Sequence, residues 1–271
     1  MSEPTGLKRV RKRHFQQARD SGVPIVGLTS YDALSAAIFD QAGVDFLLVG
    51  DSAGQVVFGY DSTVPVTVDE LIPLTRAVAK AAQRAFVIAD MPFGSYELGP
   101  DQALSTAFRF MKETGAQAVK LEGGVRSAEQ IRRIVDAGIP VMAHIGFTPQ
   151  SEHQIGGHIV QGRGDGAAAL LADAIAVEEA GAFAVVIEMT PSAVAKRVTE
   201  TVKIPTISVG AGPHTSGQLM VWTDFAGFSG GRYPRFVKKY VDLRAVLGGA
   251  VEAYRADVAS GAYPAAEHEY E

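Results

Sequence analysis

Short apolar runs recur along the chain, each bounded by turn residues. They are rich in Val, Ile, Leu and Phe, and this pattern predicts buried β-strands. The predicted strands cover residues 24–29, 45–50, 85–89, 117–121, 140–145, 183–187 and 205–209, with a weaker eighth near 225–228.

Longer amphipathic segments separate these runs and predict helices. Most of these segments end in a glycine directly before the next apolar run, where a left-handed residue ends a helix. These glycines are Gly43, Gly115, Gly138 and Gly181. Capping boxes at 67–70 and 127–130 indicate two helix starts. The predicted helices cover residues 33–42, 67–82, 101–114, 127–137, 166–180, 192–202, 214–222 and about 236–258.

The alternation of strands and helices indicates a parallel sheet with right-handed crossovers. Seven or eight such units favour a closed TIM-type (β/α)8 barrel, although an open doubly wound sheet remains an alternative. We expect one barrel domain over residues 1–271, with an N-terminal helix and a C-terminal helical extension. In the basic segment near the N-terminus, Val10 and Phe15 are expected to face inward.

Polar side chains lie where five of the apolar runs end. They are Asp51, Asp90, Glu122, His144 and Glu188. The carboxyl ends of parallel barrel strands open onto one mouth, where barrel enzymes carry out their chemistry. The pattern therefore predicts that these side chains converge on an active site.

Three of these residues are carboxylates from successive strands, Asp51, Asp90 and Glu122. Together in a partly buried mouth they would repel one another and raise their pKa values unless a cation balanced them. Oxygen ligands without cysteine favour Mg²⁺ over zinc. The alternative is that each carboxylate caps the helix that follows it.

Two further side chains point to acid–base chemistry. Lys120 shares a strand face with Glu122, so it could stabilise an enolate, form a structural ion pair or, less favourably, form a Schiff base. Glu188 ends a wholly apolar strand, and burial there would favour a general base. His144 is interpreted as a core residue or a partner behind the reacting groups rather than as a direct proton carrier.

Composition narrows the function classes. The chain of 271 residues is 47% hydrophobic, has a net charge of −5 and contains no cysteine. No apolar stretch reaches the length of a membrane span, and an acidic chain gives no reason to expect nucleic acid as a partner. We therefore expect a cytoplasmic protein that acts on small molecules. The glycine-rich connection 146–166 is expected to be a lid over the mouth.

Seven short motifs occur in a fixed order along the chain. They are Val49–Ser52, Asp61–Thr67, Ala89–Phe93, Val119–Gly124, His144–Gln150, Val160–Gly164 and Val209–Gly212. The set closely resembles the ketopantoate hydroxymethyltransferase family over roughly residues 24–268. The resemblance implies a (β/α)8 barrel of the phosphoenolpyruvate/pyruvate-binding group that binds Mg²⁺ and forms homodecamers. It also implies transfer of a one-carbon unit from 5,10-methylenetetrahydrofolate to 3-methyl-2-oxobutanoate in pantothenate biosynthesis.

The family's functional residues can be carried over by position. Asp51 and Asp90 correspond to metal ligands, and Glu122 corresponds to a third ligand, direct or through water. Glu188 matches the family's proposed proton acceptor. The contacts to the keto acid that the resemblance implies are Asp51, Ser52, Asp90, Lys120 and His144.

Some positions depart from the family's pattern, namely 215–218, Ile159 and the C-terminal 267–270. They leave the folate contacts open. Two other functions remain alternatives: a Mg²⁺-dependent lyase or aldolase of the same barrel group, and a non-catalytic barrel that binds a keto acid.

Overall fold

The computed structural model describes residues 8–270; residues 1–7 and 271 of the predicted domain lie outside the described residues. The chain forms two compact units, of which the first ends at Val221 and the second begins at Trp222. That both belong to a single domain stays a prediction. Among the described helices, none combines the length and the apolar character needed to cross a bilayer.

The first unit is a closed barrel of eight parallel strands, in which each strand pairs with its neighbours in chain order and β8 pairs with β1. The predicted (β/α)8 barrel is therefore confirmed. The strands are β1 Ile25–Thr29, β2 Phe46–Val49, β3 Phe86–Asp90, β4 Ala118–Glu122, β5 Val141–Gly146, β6 Ala184–Glu188, β7 Thr206–Val209 and β8 Gly217–Met220.

Helices connect the strands and cover the outside of the barrel. In this unit they are α1 Lys12–Ser21, α2 Ala33–Gln41, α3 Ala53–Val56, α4 Val68–Ala81, α5 Pro100–Thr114, α6 Ala128–Asp136, α7 Glu152–Ile155, α8 Gly166–Glu179 and α9 Ser192–Thr201. Short 3-10 turns precede α6 at Val125–Ser127 and α7 at Pro149–Ser151.

The eighth strand is where the sequence prediction was wrong. A helix was predicted over 214–222 and a strand near 225–228, but β8 occupies Gly217–Met220. A Cβ at Gly217 would lie 2.4 Å from the carbonyl oxygen of Ile25, so only glycine fits between β1 and β7. The four-residue segment is too short to show strand alternation, and closure of the barrel determines its conformation.

The helix ends follow the predicted signals except at one box. All four predicted C-terminal glycines have positive φ, between 85° and 95°. Thr67 and Glu70 form the predicted capping box of α4. The box predicted at Ser127 is absent, because its hydroxyl donates instead to the Glu122 carbonyl oxygen at 2.8 Å.

The amino-terminal end of the barrel is closed by α1. Val10 and Phe15 are buried, as predicted. The ring of Phe15 contacts those of Phe46, Phe86 and Phe183, with centroids 5.2–5.7 Å apart. Aromatic packing at this end leaves the opposite, carboxyl end of the strands as the open mouth.

The second unit contains the four-residue α10, Trp222–Phe225, and the long α11, Leu243–Ser260. A final 3-10 turn covers Ala266–His268. The helix predicted from about 236 begins later, because the side chain of Asp242 caps α11 by accepting from the amide of Ala245.

Candidate active site

The predicted polar residues meet at the carboxyl end of the barrel. Strand register places Asp90 beside Lys120, Glu122 beside His144, and Gly146 beside Glu188. The side chains from β2 to β5 are almost completely buried. Their residue exposures are Asp51 5%, Asp90 1%, Lys120 3%, Glu122 0% and His144 2%.

Lys120 is held by carboxylates. Its Nζ lies 2.7 Å from Asp90 Oδ1 and 3.9 Å from Glu122 Oε1. Burial disfavours the charged amine, but Asp90, Glu122 and Asp51 together outweigh burial and hold the pKa of Lys120 above its ordinary value. Lys120 is therefore a permanent cation in the metal-free site. A Schiff base needs a neutral amine, so this environment opposes that alternative.

His144 lies between two glutamates. Its Nδ1 is 3.3 Å from Glu122 Oε1, and its Nε2 is 3.3 Å from Glu188 Oε2. Burial and Lys120 oppose the charged imidazole, yet the two glutamates prevail and raise the pKa of His144 to about 9. Glu188 is the more accessible glutamate, since its side chain is 18% exposed.

Three buried atoms of this group, Glu122 Oε1 and both ring nitrogens of His144, lack an aligned hydrogen bond among the described residues. Their 3.3 Å separations are those of ion pairs rather than of well-directed hydrogen bonds. Buried polar atoms left in this state cost free energy, and they are concentrated where ligands bind or react. The group therefore marks a site that a polar ligand could complete.

Gln150 and Tyr96, which the sequence did not predict, link the segments of the site by hydrogen bonds. The Gln150 amide donates to Asp51 Oδ2 at 2.9 Å and to the Met91 carbonyl oxygen at 3.0 Å, and it accepts a bond from the Tyr96 hydroxyl. The backbone amide of Gln150 also donates to Glu122 Oε2 at 3.1 Å. Gln150 lies in the motif His144–Gln150, but a neutral amide side chain by itself does not indicate a catalytic or metal-binding residue.

The carboxylates do not share one electrostatic environment. Burial, reinforced by Asp90 and Glu122, raises the pKa of Asp51 well above its ordinary value. Burial would do the same to Glu122, but His144 and Lys120 outweigh it and lower the pKa of Glu122. The expected rise is thus found for Asp51 and is wrong for Glu122, because His144 and Lys120 together outweigh the effect of burial.

A divalent cation fits part of this donor set. Asp51 and Asp90 are joined by a hydrogen bond of 3.1 Å from the Asp51 amide to Asp90 Oδ2, and burial together with the neighbouring carboxylates raises the pKa of Asp51. Mg²⁺ is commonly bound through one or two carboxylates, with waters and substrate oxygens completing the shell.

A complete protein site is not preformed. In the part of the chain that the structure describes, no three His, Asp or Glu side chains are grouped so that they could hold a metal ion. The oxygens of Glu122 face Gln150, Lys120 and His144, as those of Asp90 face Lys120 and the Asp51 amide, so Glu122 as a third direct ligand stays a prediction. A link through water stays a prediction.

Ser52 and the connection after β5 border the site. The Ser52 hydroxyl shares a 2.8 Å hydrogen bond with the Tyr31 hydroxyl. The first part of the connection is buried and forms part of the wall of the site; its buried residues are Phe147, Thr148 and Gln150. Residues 156–165 lie mostly at the surface and contain several left-handed glycines. Their predicted function as a lid stays a prediction.

Solved structures share this fold. Phosphonopyruvate hydrolase, in a crystal structure with oxalate and Mg²⁺, superposes with a TM-score of 0.63 and 16% identity, covering 96% of this chain and 93% of that one. For 2,3-dimethylmalate lyase, a member of the PEP mutase/isocitrate lyase superfamily, the TM-score is 0.56 at 19% identity, with 92% and 86% covered. At these identities the likeness concerns the fold.

Sequence relatives are much closer. The 3-methyl-2-oxobutanoate hydroxymethyltransferase of Leifsonia xyli subsp. xyli is 70% identical over 97% of this chain and 95% of its own length. The protein of the same name from Corynebacterium glutamicum is 57% identical over 95% of this chain and 96% of its own. The sequence model described as ketopantoate hydroxymethyltransferase matches residues 9–266. This chain therefore belongs to the ketopantoate hydroxymethyltransferase family.

Proposed function

We propose that this protein transfers a hydroxymethyl group to 3-methyl-2-oxobutanoate and so makes ketopantoate (2-dehydropantoate) for pantothenate biosynthesis. The one-carbon unit would come from 5,10-methylenetetrahydrofolate. One observation carries the proposal: a network of charged side chains lies at the mouth of the barrel, and relatives of the chain are named 3-methyl-2-oxobutanoate hydroxymethyltransferase. The network consists of Asp51, Asp90, Lys120, His144 and Glu188. In this reaction the C3–H bond and both carbon–nitrogen bonds of the methylene group break, a carbon–carbon bond forms at C3, water supplies the hydroxyl group, and tetrahydrofolate is released.

The residues that would hold Mg²⁺ are Asp51 and Asp90. Both are carboxylates at the mouth, and the buried negative charge at Asp51 would be relieved by a cation. When bound, Mg²⁺ would supply Lewis-acid polarisation of the keto acid. Gln150 supports this arrangement by directing one oxygen of Asp51 through its amide.

Lys120 would bind an oxygen of the keto acid. Its charge is maintained by Asp90 at 2.7 Å, and its burial keeps water from screening that charge. A fixed cation in a site of low polarity stabilises the negative charge that develops when the C3 proton leaves. Lys120 thus acts through its charge and forms no covalent carbon–nitrogen bond with the substrate.

Glu188 would accept the C3 proton. It is the most accessible carboxylate of the network, and His144 supports it from behind at 3.3 Å. The imidazole also contacts Glu122 at 3.3 Å, so Glu188 lies at the end of a row of three side chains that can hold it in position. Ser52, beside Asp51, lies where it could contact the substrate carboxylate.

Proton NMR of 3-methyl-2-oxobutanoate in D₂O tests the proposal. With enzyme, Mg²⁺ and tetrahydrofolate present, the C3 proton signal should disappear at a rate that depends on the metal. Ketopantoate should then form when methylenetetrahydrofolate replaces tetrahydrofolate. Folded protein that exchanges no C3 proton under either condition would refute enolisation at this site, and with it the proposed reaction.

We also propose a cytoplasmic homo-oligomer, a decamer by the family resemblance. Within the C-terminal unit, α11 leaves apolar side chains such as Val251 and Tyr254 exposed, as surfaces that associate often do. Light scattering on the purified protein tests the state of assembly. A monomeric mass at micromolar concentration would refute the oligomer.

A further inference from the structure

A cavity opens beside the catalytic network. Its volume is about 260 Å³, and its wall comes from the segments that follow β3, β4 and β5. These segments all leave the carboxyl end of the barrel, so the cavity opens on the same face as the site. The residues that matter for its chemistry are Phe93, Tyr96, Glu97, Arg126, Gln130 and Ser151.

Tyr96 separates the cavity from the catalytic network. The residue lines the cavity, while its hydroxyl donates to the side chain of Gln150 and accepts from the backbone amide of Glu122 at 3.3 Å. Gln150 in turn donates to Asp51. A ligand in the cavity would thus lie one side chain away from the residues that bind the keto acid.

The cavity presents one carboxylate and one guanidinium that are not paired with each other. Glu97 Oε2 accepts from the amides of Gly94 and Tyr96, at 2.9 and 3.2 Å, which holds the side chain in place. Arg126 donates to the Ser151 hydroxyl at 2.6 Å. Within the described residues, no carboxylate lies within ion-pair distance of Arg126, and Oε1 of Glu97 has no hydrogen bond.

These groups match the edge of a pterin ring. The 2-amino group and N3–H of a pterin are adjacent donors, and Oε1 of Glu97 is an acceptor that one of them can reach while Oε2 stays bound to the backbone amides. The neighbouring 4-oxo group is an acceptor, which suits the remaining donors of Arg126. Phe93 is 46% exposed and offers an aromatic face for stacking. A simple anion would match Arg126 but would be repelled by Glu97.

The size of the cavity limits what it can hold. Pockets that enclose drug-sized ligands measure about 300–1,000 Å³, so about 260 Å³ suits a bicyclic ring and excludes a whole folate. We propose, resting on the function proposed above, that this cavity binds the pterin ring of the folate co-substrate through Glu97, Arg126 and Phe93. The aminobenzoylglutamate part then extends outward from the open side of this cavity.

Calorimetric titration of the full-length protein with tetrahydrofolate, in the presence of Mg²⁺ and the keto acid, tests this assignment. We expect Glu97→Gln and Arg126→Gln each to weaken tetrahydrofolate binding by about tenfold or more, as the loss of a charged hydrogen bond does. The Kd for 3-methyl-2-oxobutanoate should change less than about twofold, because neither residue belongs to the network that binds it. Glu129→Gln and Arg133→Gln, on the adjacent helix, are matched controls that should bind as wild type.

Competition with fragments of the co-substrate identifies the occupant. A reduced 6-methylpterin should displace tetrahydrofolate from the wild type and lose this ability in Glu97→Gln. Unchanged tetrahydrofolate binding by both variants, or displacement by p-aminobenzoylglutamate alone, would overturn the pterin assignment and leave the proposed function standing. A wild-type protein that binds no tetrahydrofolate would overturn both.

Discussion

Replacing Gln150 by leucine tests the hydrogen-bond bridge that organises the site. The amide of Gln150 serves three buried partners: Asp51 Oδ2, the Met91 carbonyl oxygen and the Tyr96 hydroxyl. Leucine fills a similar volume but satisfies none of them. At about 1–2 kcal/mol for each buried partner left unpaired, Gln150→Leu should lower the free energy of unfolding by about 3–6 kcal/mol.

A double-mutant cycle separates the bridge from the rest of this cost. Tyr96→Phe removes only the hydroxyl that bonds Gln150 and the Glu122 amide, so alone it should cost about 1–3 kcal/mol. Because both substitutions break the same Tyr96–Gln150 bond, the double variant should be less destabilised than the sum, by about 1 kcal/mol. Urea unfolding of the four metal-free proteins, under conditions where refolding is reversible, measures each term.

The matched control is Tyr60→Phe. Its hydroxyl bonds Glu70, which is not a hydrogen-bond partner of Gln150 or Tyr96, so its effect should add to that of Gln150→Leu within about 0.5 kcal/mol. If the Tyr96→Phe cycle were equally additive, the bridge would not exist as an energetic unit. Gln150→Leu should also weaken Mg²⁺ binding, because leucine cannot donate the hydrogen bond that positions Asp51.

Three further predictions address charge at the site and at the surface. Asp51→Asn should stabilise the protein in the absence of metal, because it removes a carboxyl group whose pKa is raised by burial and whose charged form is therefore unfavourable. The same variant should not bind Mg²⁺ in a calorimetric titration. An unchanged titration would exclude Asp51 as a ligand. Glu188→Gln should keep keto-acid binding but lose C3 proton exchange, and full exchange would clear Glu188. The hydroxyl of Tyr60 and the cap at Thr67 lower the pKa of Glu70 in the folded protein. The contribution of ionised Glu70 to the free energy of unfolding should therefore be complete above about pH 4.5 and be lost progressively as the pH falls through the lowered pKa. The difference in unfolding free energy between wild type and Glu70→Gln should therefore shrink from pH 6 to pH 3; a constant difference would contradict this.

The sequence predicted seven strands because each is a buried apolar run with a clear boundary. In all seven, the predicted and observed starts differ by one residue, from β1 at Ile25 to β7 at Thr206. The predicted β8 was wrong, since Gly217–Met220 carries too little apolar pattern to be distinguished from its surroundings. Only pairing with both β1 and β7 makes it a strand.

The residues of the site also fall into those that the sequence predicted and those that only the structure showed. Asp90, Glu122 and Glu188 end strands of their own, so the rule that parallel strands share one mouth was enough to predict that they converge. Tyr96 and Gln150 lie in connections, where no periodicity indicates which side chains turn inward. Their inward position depends on hydrogen bonds to partners from other segments, which no local pattern encodes.

What the sequence determined by itself was the order of the first seven strands and the polar groups that end five of its apolar runs, because hydrophobic periodicity and helix-ending glycines act locally; a closed barrel was favoured over an open sheet, and the pairing of β8 with β1 and β7 decided it. What only the tertiary structure decided was how those groups pair. Lys120 with Asp90, and His144 between Glu122 and Glu188, depend on strand register across the barrel. The pKa values followed from burial and from that pairing: burial, reinforced by Asp90 and Glu122, raises the pKa of Asp51, whereas His144 and Lys120, 3.3 and 3.9 Å away, outweigh burial and lower that of Glu122.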